Sequence, residues 1–236
     1  MTWGVVFLGG FTVISLVVVV LDFVKKRVPV WLDIAGVVFG VAVAMYTGAL
    51  LGVCKTFPLW NNALLPILFL VSAMSTGAAS VLLIGIFRHA DEFNRVGVLK
   101  KFHFCLPVIE LVLIAALMFI TCTNSTAGWN SVMSLLVGGY APLFWIGEIG
   151  LGLAVPAALL AVGAFRSRCA AGGVWTVAAA VSAMAGILAL RYVLVVAGFS
   201  VPLLGGMPLP AYVPTLGEAM VTLFVLGLAV GCYGLA

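Results

Sequence analysis

Charge is what this chain has least of. Of its 236 residues, 8% are charged and 65% are hydrophobic, whereas soluble domains run at about 25% charged. That shortage excludes a soluble globular domain. The net charge of +4 is no nucleic-acid footprint, because the basic residues never cluster beyond Lys25-Lys26-Arg27. Histidine is nearly absent: His89 lies in a loop and His103 at the start of an apolar segment. Neither is placed for axial ligation, which excludes a bis-histidine haem within the chain. Cys54, Cys105, Cys122, Cys169 and Cys232 show no C-x-x-C spacing, so no iron–sulfur or zinc site is encoded. They read as small hydrophobes inside helices. Alternation of period two is also missing, which argues against a β-barrel.

What is present is long apolar runs, with a mean hydropathy of +1.33. About 20 apolar residues are needed to cross the hydrocarbon core as a helix. Seven segments qualify: roughly 2–23, 31–52, 61–87, 102–123, 140–165, 173–197 and 215–235. The expected fold is all-α, a polytopic transmembrane bundle of about seven helices forming a single integral membrane domain over 1–236. Lys25, Lys26, Arg27, Arg88, Arg95, Lys100, Lys101, Arg166 and Arg168 fall on alternate connections, hence on one side. The positive-inside rule makes that side cytoplasmic. The N-terminus and the 53–60, 124–139 and 198–214 connections are then outside, and the C-terminus is cytoplasmic. Spans one to three echo spans five to seven weakly, through YTGALLG and RYVLVVAG. That echo suggests a pseudo-repeat of four-helix units with one helix missing before Met1.

The run from Tyr46 to Gly77 is organised around an aromatic and amide hinge, Phe57-Pro58-Leu59-Trp60-Asn61-Asn62. Tryptophan has an apolar body and one N–H that wants a polar partner, which suits a membrane interface. The hinge is expected to roof a site for an amphipathic small molecule. Tyr46 can donate to a carbonyl oxygen, and Phe57 and Trp60 can stack on a flat ring. Trp60 can equally be an interface anchor. Asn61 and Asn62 can contact a ligand or cap the following helix. Pro66, Pro107 and Pro156 are expected to kink their helices, with Pro66 opening space beneath the hinge.

Ionisable residues within spans are functional candidates. Glu110 should lie about 12 Å from the cytoplasmic end of its span, and Glu148 about 12 Å from the outer end of its own. Arg191 should sit roughly 9 Å, and Glu218 about 5 Å, below the outer surface. A buried arginine needs a carboxylate, and Glu148 or Glu218 is at a suitable depth for Arg191. The pairing can be an ion pair that fixes packing, a proton-carrying or ligand-orienting network, or both.

The run YTGALLG followed by FPLWNNALLPILFLVSAMSTGAA resembles the signature of the polysulfide reductase NrfD-type membrane subunits. RYVLVVAG is similar to that family's second recurrent stretch, and MTWG to the start of its second helix. The resemblance extends over most of the sequence. It implies a haem-free, non-catalytic anchor in the bacterial inner membrane that binds menaquinone or ubiquinone near the outer face. The implied partners are a ferredoxin-like iron–sulfur subunit and a molybdopterin catalytic subunit. Relatives have eight or more helices in two four-helix bundles, so the family's first helix is expected to be lacking here.

On this reading Tyr46, Trp60, Asn61 and Arg191 surround the quinone head, and Glu110, Glu148 and Glu218 transfer protons, steps that could serve proton translocation. No metal is expected in the chain. The alternatives are a secondary transporter, which kinked helices and mid-membrane carboxylates also fit, and a passive anchor without a working quinone site.

Overall fold

The computed structural model describes residues 2–24, 27–88, 97–159, 172–199, 215–221 and 223. Every regular element among them is helical. In order along the sequence these are α1 (Thr2–Phe23), α2 (Val30–Gly52), α3 (Leu65–Arg88), α4 (Gly97–Asn124), α5 (Thr126–Leu136), α6 (Leu143–Ala154) and α7 (Gly172–Phe199). Five segments are long and apolar enough to cross a membrane: Thr2–Phe23, Val30–Gly52, Leu65–Gly85, Cys105–Asn124 and Trp175–Gly198. A shorter apolar helix runs over Leu143–Leu159. The protein is an all-α, multi-pass helical bundle. The expected seventh span, 215–235, lies almost wholly outside the described residues, as do the repeat relation that depends on it and most of the basic loops.

The core forms where α3, α4, α5, α6 and α7 converge. Leu65, Leu68, Ile114, Leu117, Val132, Leu135, Phe144, Leu190 and Val193 are buried together there. In a membrane these apolar contacts gain nothing over lipid, so close packing must come from small residues that let backbones approach. Gly147 and Gly152 on α6 supply this against α7. A Cβ on Gly147 would stand 2.8 Å from the Ala189 methyl, and one on Gly152 would stand 3.1 Å from the Gly186 Cα. By contrast α1 buries none of its residues, and among the described elements it packs only against α2. Its Gly4 and Gly10 receive the rings of Tyr46 and Phe39. Much of its remaining apolar surface is exposed.

Two elements differ from the sequence expectation. The 124–139 connection contains α5, an eleven-residue helix. Ser125 starts it by accepting a hydrogen bond from the Gly128 amide at 3.0 Å, an N-cap. Its Gly128, Ser131, Val132 and Leu135 are buried, the spacing of a helix with one face on the core. The second is α6, which is π-helical. Its closing amide, Val155, donates to the Gly150 carbonyl five residues back. Phe144, Gly147, Glu148, Gly152 and Leu153 are its buried residues, so the buried face repeats every four to five positions. Such i→i+5 stretches are rare, and they are frequent at functional sites.

The hinge is longer than its sequence suggests, because α3 begins at Leu65 and not near Asn61. Pro66 therefore falls in the first helical turn, where its missing N–H has no partner to lose. It produces no kink beneath the hinge. The expected space is filled as well. A Cβ on Gly48 would stand 2.7 Å from both the Leu65 carbonyl oxygen and the Pro66 Cα.

Candidate functional site

The hinge turns inward. Successive turns, Phe57 N–H to the Cys54 carbonyl, then Trp60 N–H and Asn61 N–H to the Phe57 carbonyl, fold residues 53–64 back over the bundle. Leu59 and Trp60 are thereby driven into the core. The Phe57 and Trp60 rings lie 4.6 Å apart, tilted by 55°. The Trp60 indole N–H donates to the Leu194 carbonyl on α7 at 2.7 Å. The ring can reach that carbonyl because Gly198, one turn on, has no side chain. A Cβ there would collide with the indole Nε1. Trp60 thus bolts the hinge to α7 one turn from Arg191, and it is not an interface anchor.

The two asparagines separate in role. The Asn62 side-chain oxygen accepts from the Leu64 amide at 3.0 Å, and its Nδ2 donates to the Leu117 carbonyl on α4 at 3.4 Å. Asn62 is buried and structural, tying the start of α3 to α4. Asn61 is exposed and its side chain is open to a ligand. Tyr46 lies elsewhere. It is two residues from Gly48, whose bare side meets α3, so the tyrosine points to the far side of α2. There its ring lies edge-on to Phe7 of α1, with centroids 6.3 Å apart.

Beneath the hinge the bundle holds a polar cluster. Glu110 and Glu148 are each only 1% exposed. Among the described residues, nothing donates a hydrogen bond to Glu110 Oε1 or to either Glu148 oxygen. The charge of Glu110 acts on Glu148, and Glu110 and Arg191 act on each other. Arg191 is held by its Nε–H to the Ser72 hydroxyl at 3.4 Å, with its guanidinium 5.0 Å from the Phe69 ring centroid, a cation–π distance. Four helices thus contribute: α3 with Ser72 and Phe69, α4 with Glu110, α6 with Glu148 and α7 with Arg191.

The carboxylate whose charge acts on Arg191 is Glu110, which simple depth counting put in the opposite half of the membrane. Glu218 does not share this buried environment. It is exposed, its carboxylate accepts from the Thr215 amide at 2.8 Å, and its own amide donates to the Thr215 hydroxyl at 3.4 Å. That reciprocal pair is a capping box at the start of a helical segment over 216–221. Between the cluster and the hinge lies an apolar void of about 10 Å³ bordered by Leu59, Leu68, Ile114, Phe144 and Leu194, roughly the room of one water. It has no polar wall.

Residues 1–202 match the family model described as polysulphide reductase, NrfD. The protein belongs to the NrfD polysulfide reductase family. A polysulfide reductase component of Wolinella succinogenes is 34% identical over 170 residues, covering 71% of the present sequence and 53% of that protein. Protein NrfD of Escherichia coli is 33% identical over 165 residues, 68% of the present sequence and 50% of that one. A selenate reductase component of Mesobacillus selenatarsenatis is 30% identical over 194 residues, 79% of the present sequence and 44% of that protein. The chain spans about half the length of the curated relatives it matches. No solved structure matches it. The NrfD match includes the hinge, the Glu110–Glu148–Arg191 cluster and all seven helices from α1 to α7.

Proposed function

We propose that this NrfD-family protein is the quinone-linked membrane subunit of a multi-subunit oxidoreductase in the bacterial inner membrane, with its C-terminus cytoplasmic. Menaquinone or ubiquinone docks at the hinge, and electrons pass to or from a ferredoxin-like iron–sulfur subunit that serves a molybdopterin catalytic subunit. The observation that carries this reading is the buried Glu110–Glu148–Arg191 cluster beneath an aromatic hinge, in a protein whose relatives are named for polysulfide and selenate reductases.

Quinol oxidation yields two electrons and two protons. The protons need acceptors that are shielded from lipid, and Glu110 and Glu148 offer oxygens that have no hydrogen-bond partner among the described residues. Asn61, exposed at the hinge, and Phe57, half-buried against Trp60, are the groups placed to meet a head group. Trp60 serves by holding the hinge in register with Arg191, since its N–H is already bonded to Leu194. Tyr46, seated against α1, would contribute from that seam.

The test is to isolate the complex through a tag on this protein and add a reduced quinone analogue. Reduction of an iron–sulfur spectrum is expected, slowed about a hundredfold or more by Glu110→Gln, the loss typical of removing a positioned proton-transfer group. Co-purification with no iron–sulfur protein would defeat the reading. The passive-anchor alternative draws on one observation, the packing of Leu59 and Trp60 into the core. An assembled complex that ignores quinol would favour it.

A further inference from the structure

On four helices a large apolar side chain stands one turn to the hinge side of a polar one. On α3, which begins under the hinge at Leu65, Leu68 precedes Ser72. On α4, Ile114 follows Glu110, toward the Leu117 carbonyl that holds Asn62. On α7, Leu194 follows Arg191, and its carbonyl holds Trp60. The α6 helix runs antiparallel to α7, because Gly147 meets Ala189 and Gly152 meets Gly186. Phe144 therefore lies to the hinge side of Glu148. Leu68, Ile114, Phe144 and Leu194 are buried in one cluster and border one void, with Leu59 of the hinge beside them.

This layer offers water nothing to hold. Its void measures about 10 Å³ and has an apolar wall, whereas a buried water needs about two to four polar partners. Two carbonyls of the lining residues are already taken. Leu194 accepts from the Trp60 indole at 2.7 Å, and Leu117 from Asn62 Nδ2 at 3.4 Å and the Thr121 hydroxyl at 2.8 Å. Beyond the layer the character changes. Glu148 turns its carboxyl away from the hinge: a Cβ on Gly152, one turn further along α6, would stand 3.2 Å from Oε2. Both Glu148 oxygens are buried and, among the described residues, without a hydrogen-bond partner. The surroundings there are small or hydroxylic, with Gly152 against Gly186, Ala183 buried further along α7, and Ser72 and Ser75 buried on α3. Orphaned buried oxygens in such a setting are where internal water belongs.

We propose that the layer of Leu68, Ile114, Phe144 and Leu194, plugged by Leu59, is a dry barrier to protons, and that water reaches the Glu148 carboxyl only from the side away from the hinge. A proton moves along waters and hydroxyls, and an apolar constriction that does not stay wet breaks that chain. The barrier stands whether or not a quinone docks. Taken together with the quinone reading, it deepens that reading: a proton released at the hinge reaches the carboxyls only when the layer opens.

Proton leak through liposomes carrying the full-length protein, without quinone, tests this. A trapped pH dye reads proton entry under a potassium diffusion potential. The parent should be as tight as protein-free liposomes. Phe144→Ser and Leu68→Ser should each raise the leak about tenfold, the worth of one good hydrogen bond offered to an entering water. Phe144→Leu, which stays apolar, should remain tight. Adding Glu148→Gln to either serine variant should return the leak to the parent's level, because the route passes that carboxyl. A leaky parent would overturn the proposal, and so would serine variants as tight as the parent. A leak that Glu148→Gln leaves unchanged, or one that Phe144→Leu shares, would overturn it as well. Each variant is checked for a single sharp peak on a sizing column before reconstitution, and two serine positions on different helices keep the test from resting on one fold-sensitive site. Because no quinone is present, a failed quinone reading leaves this result unaffected, and it is recognised separately by the absence of quinol-dependent reduction.

Discussion

Gly186→Leu is expected to abolish accumulation of the folded protein, while Gly9→Leu leaves it unchanged. A Cβ on Gly186 would collide with the Cα and amide nitrogen of Gly152 and stand 3.2 Å from the Leu151 carbonyl carbon. The obstacle is backbone, so no side-chain rotation relieves it. Overpacking ordinarily costs about 1–3 kcal/mol, and here α6 and α7 must separate to make room. Their separation would also pull Glu148 away from Glu110. No hydrophobic gain offsets the loss, because lipid is as apolar as leucine. Gly9 has nothing within 4 Å of a would-be Cβ and is exposed on α1, so leucine there simply faces lipid. Fluorescence-detected size-exclusion chromatography of tagged variants reads the difference. A sharp, undiminished peak for Gly186→Leu would contradict the α6–α7 crossing described here.

Arg191→Met should destabilise the protein strongly, and adding Glu110→Gln should recover much of the loss. Removing the guanidinium forfeits the Ser72 hydrogen bond and the Phe69 contact. It also removes the positive charge that acts on the buried Glu110 carboxyl, so holding that carboxyl in the bundle becomes costlier. Glu110→Gln in the same protein removes the carboxyl itself. Thermal unfolding in detergent, read as a double-mutant cycle, should therefore show a favourable coupling of at least about 1 kcal/mol. Strict additivity would mean that Arg191 and Glu110 do not sense one another.

The long spans are legible because their signal is composition over length. The bounds of α1 and α2 follow directly from where apolar runs begin and stop. What is hidden is local. The helix α5 lies in a stretch that reads as a loop by hydropathy. Ser125 before an i, i+3, i+4, i+7 stripe of Gly128, Ser131, Val132 and Leu135 is nevertheless a cap-and-face signal. The capping box at Thr215 and Glu218 can be found from its spacing alone. The π-helical course of α6 has no signature in ordinary helical counting. It places Gly147 and Gly152, five residues apart, on the face turned to α7, and Glu148 beside them.

The candidate site is half legible. That Glu110, Glu148 and Arg191 matter follows from the rule that charges within membrane spans need a reason. Which of them meet does not, because depth measured along one helix says nothing about tilt, about neighbours, or about the reach of an arginine. Trp60 shows the same limit from the other direction. An interfacial tryptophan and a buried bolt have the same sequence context. Only the missing side chain at Gly198, distant in sequence, distinguishes them. Sequence proximity groups Tyr46 with the hinge, whereas the helical turn between it and Gly48 points it at α1.

A quinone head group that meets the hinge above the Glu110–Glu148–Arg191 cluster should be caught there chemically. Photo-cross-linking with an azido-quinone in native membranes, followed by peptide mapping, addresses that directly. Label is expected on the hinge, centred on Phe57 and Asn61, and unlabelled quinone should compete it away. Label confined to the lipid-facing surface of α1, or label that excess quinone does not displace, would contradict quinone docking at the hinge.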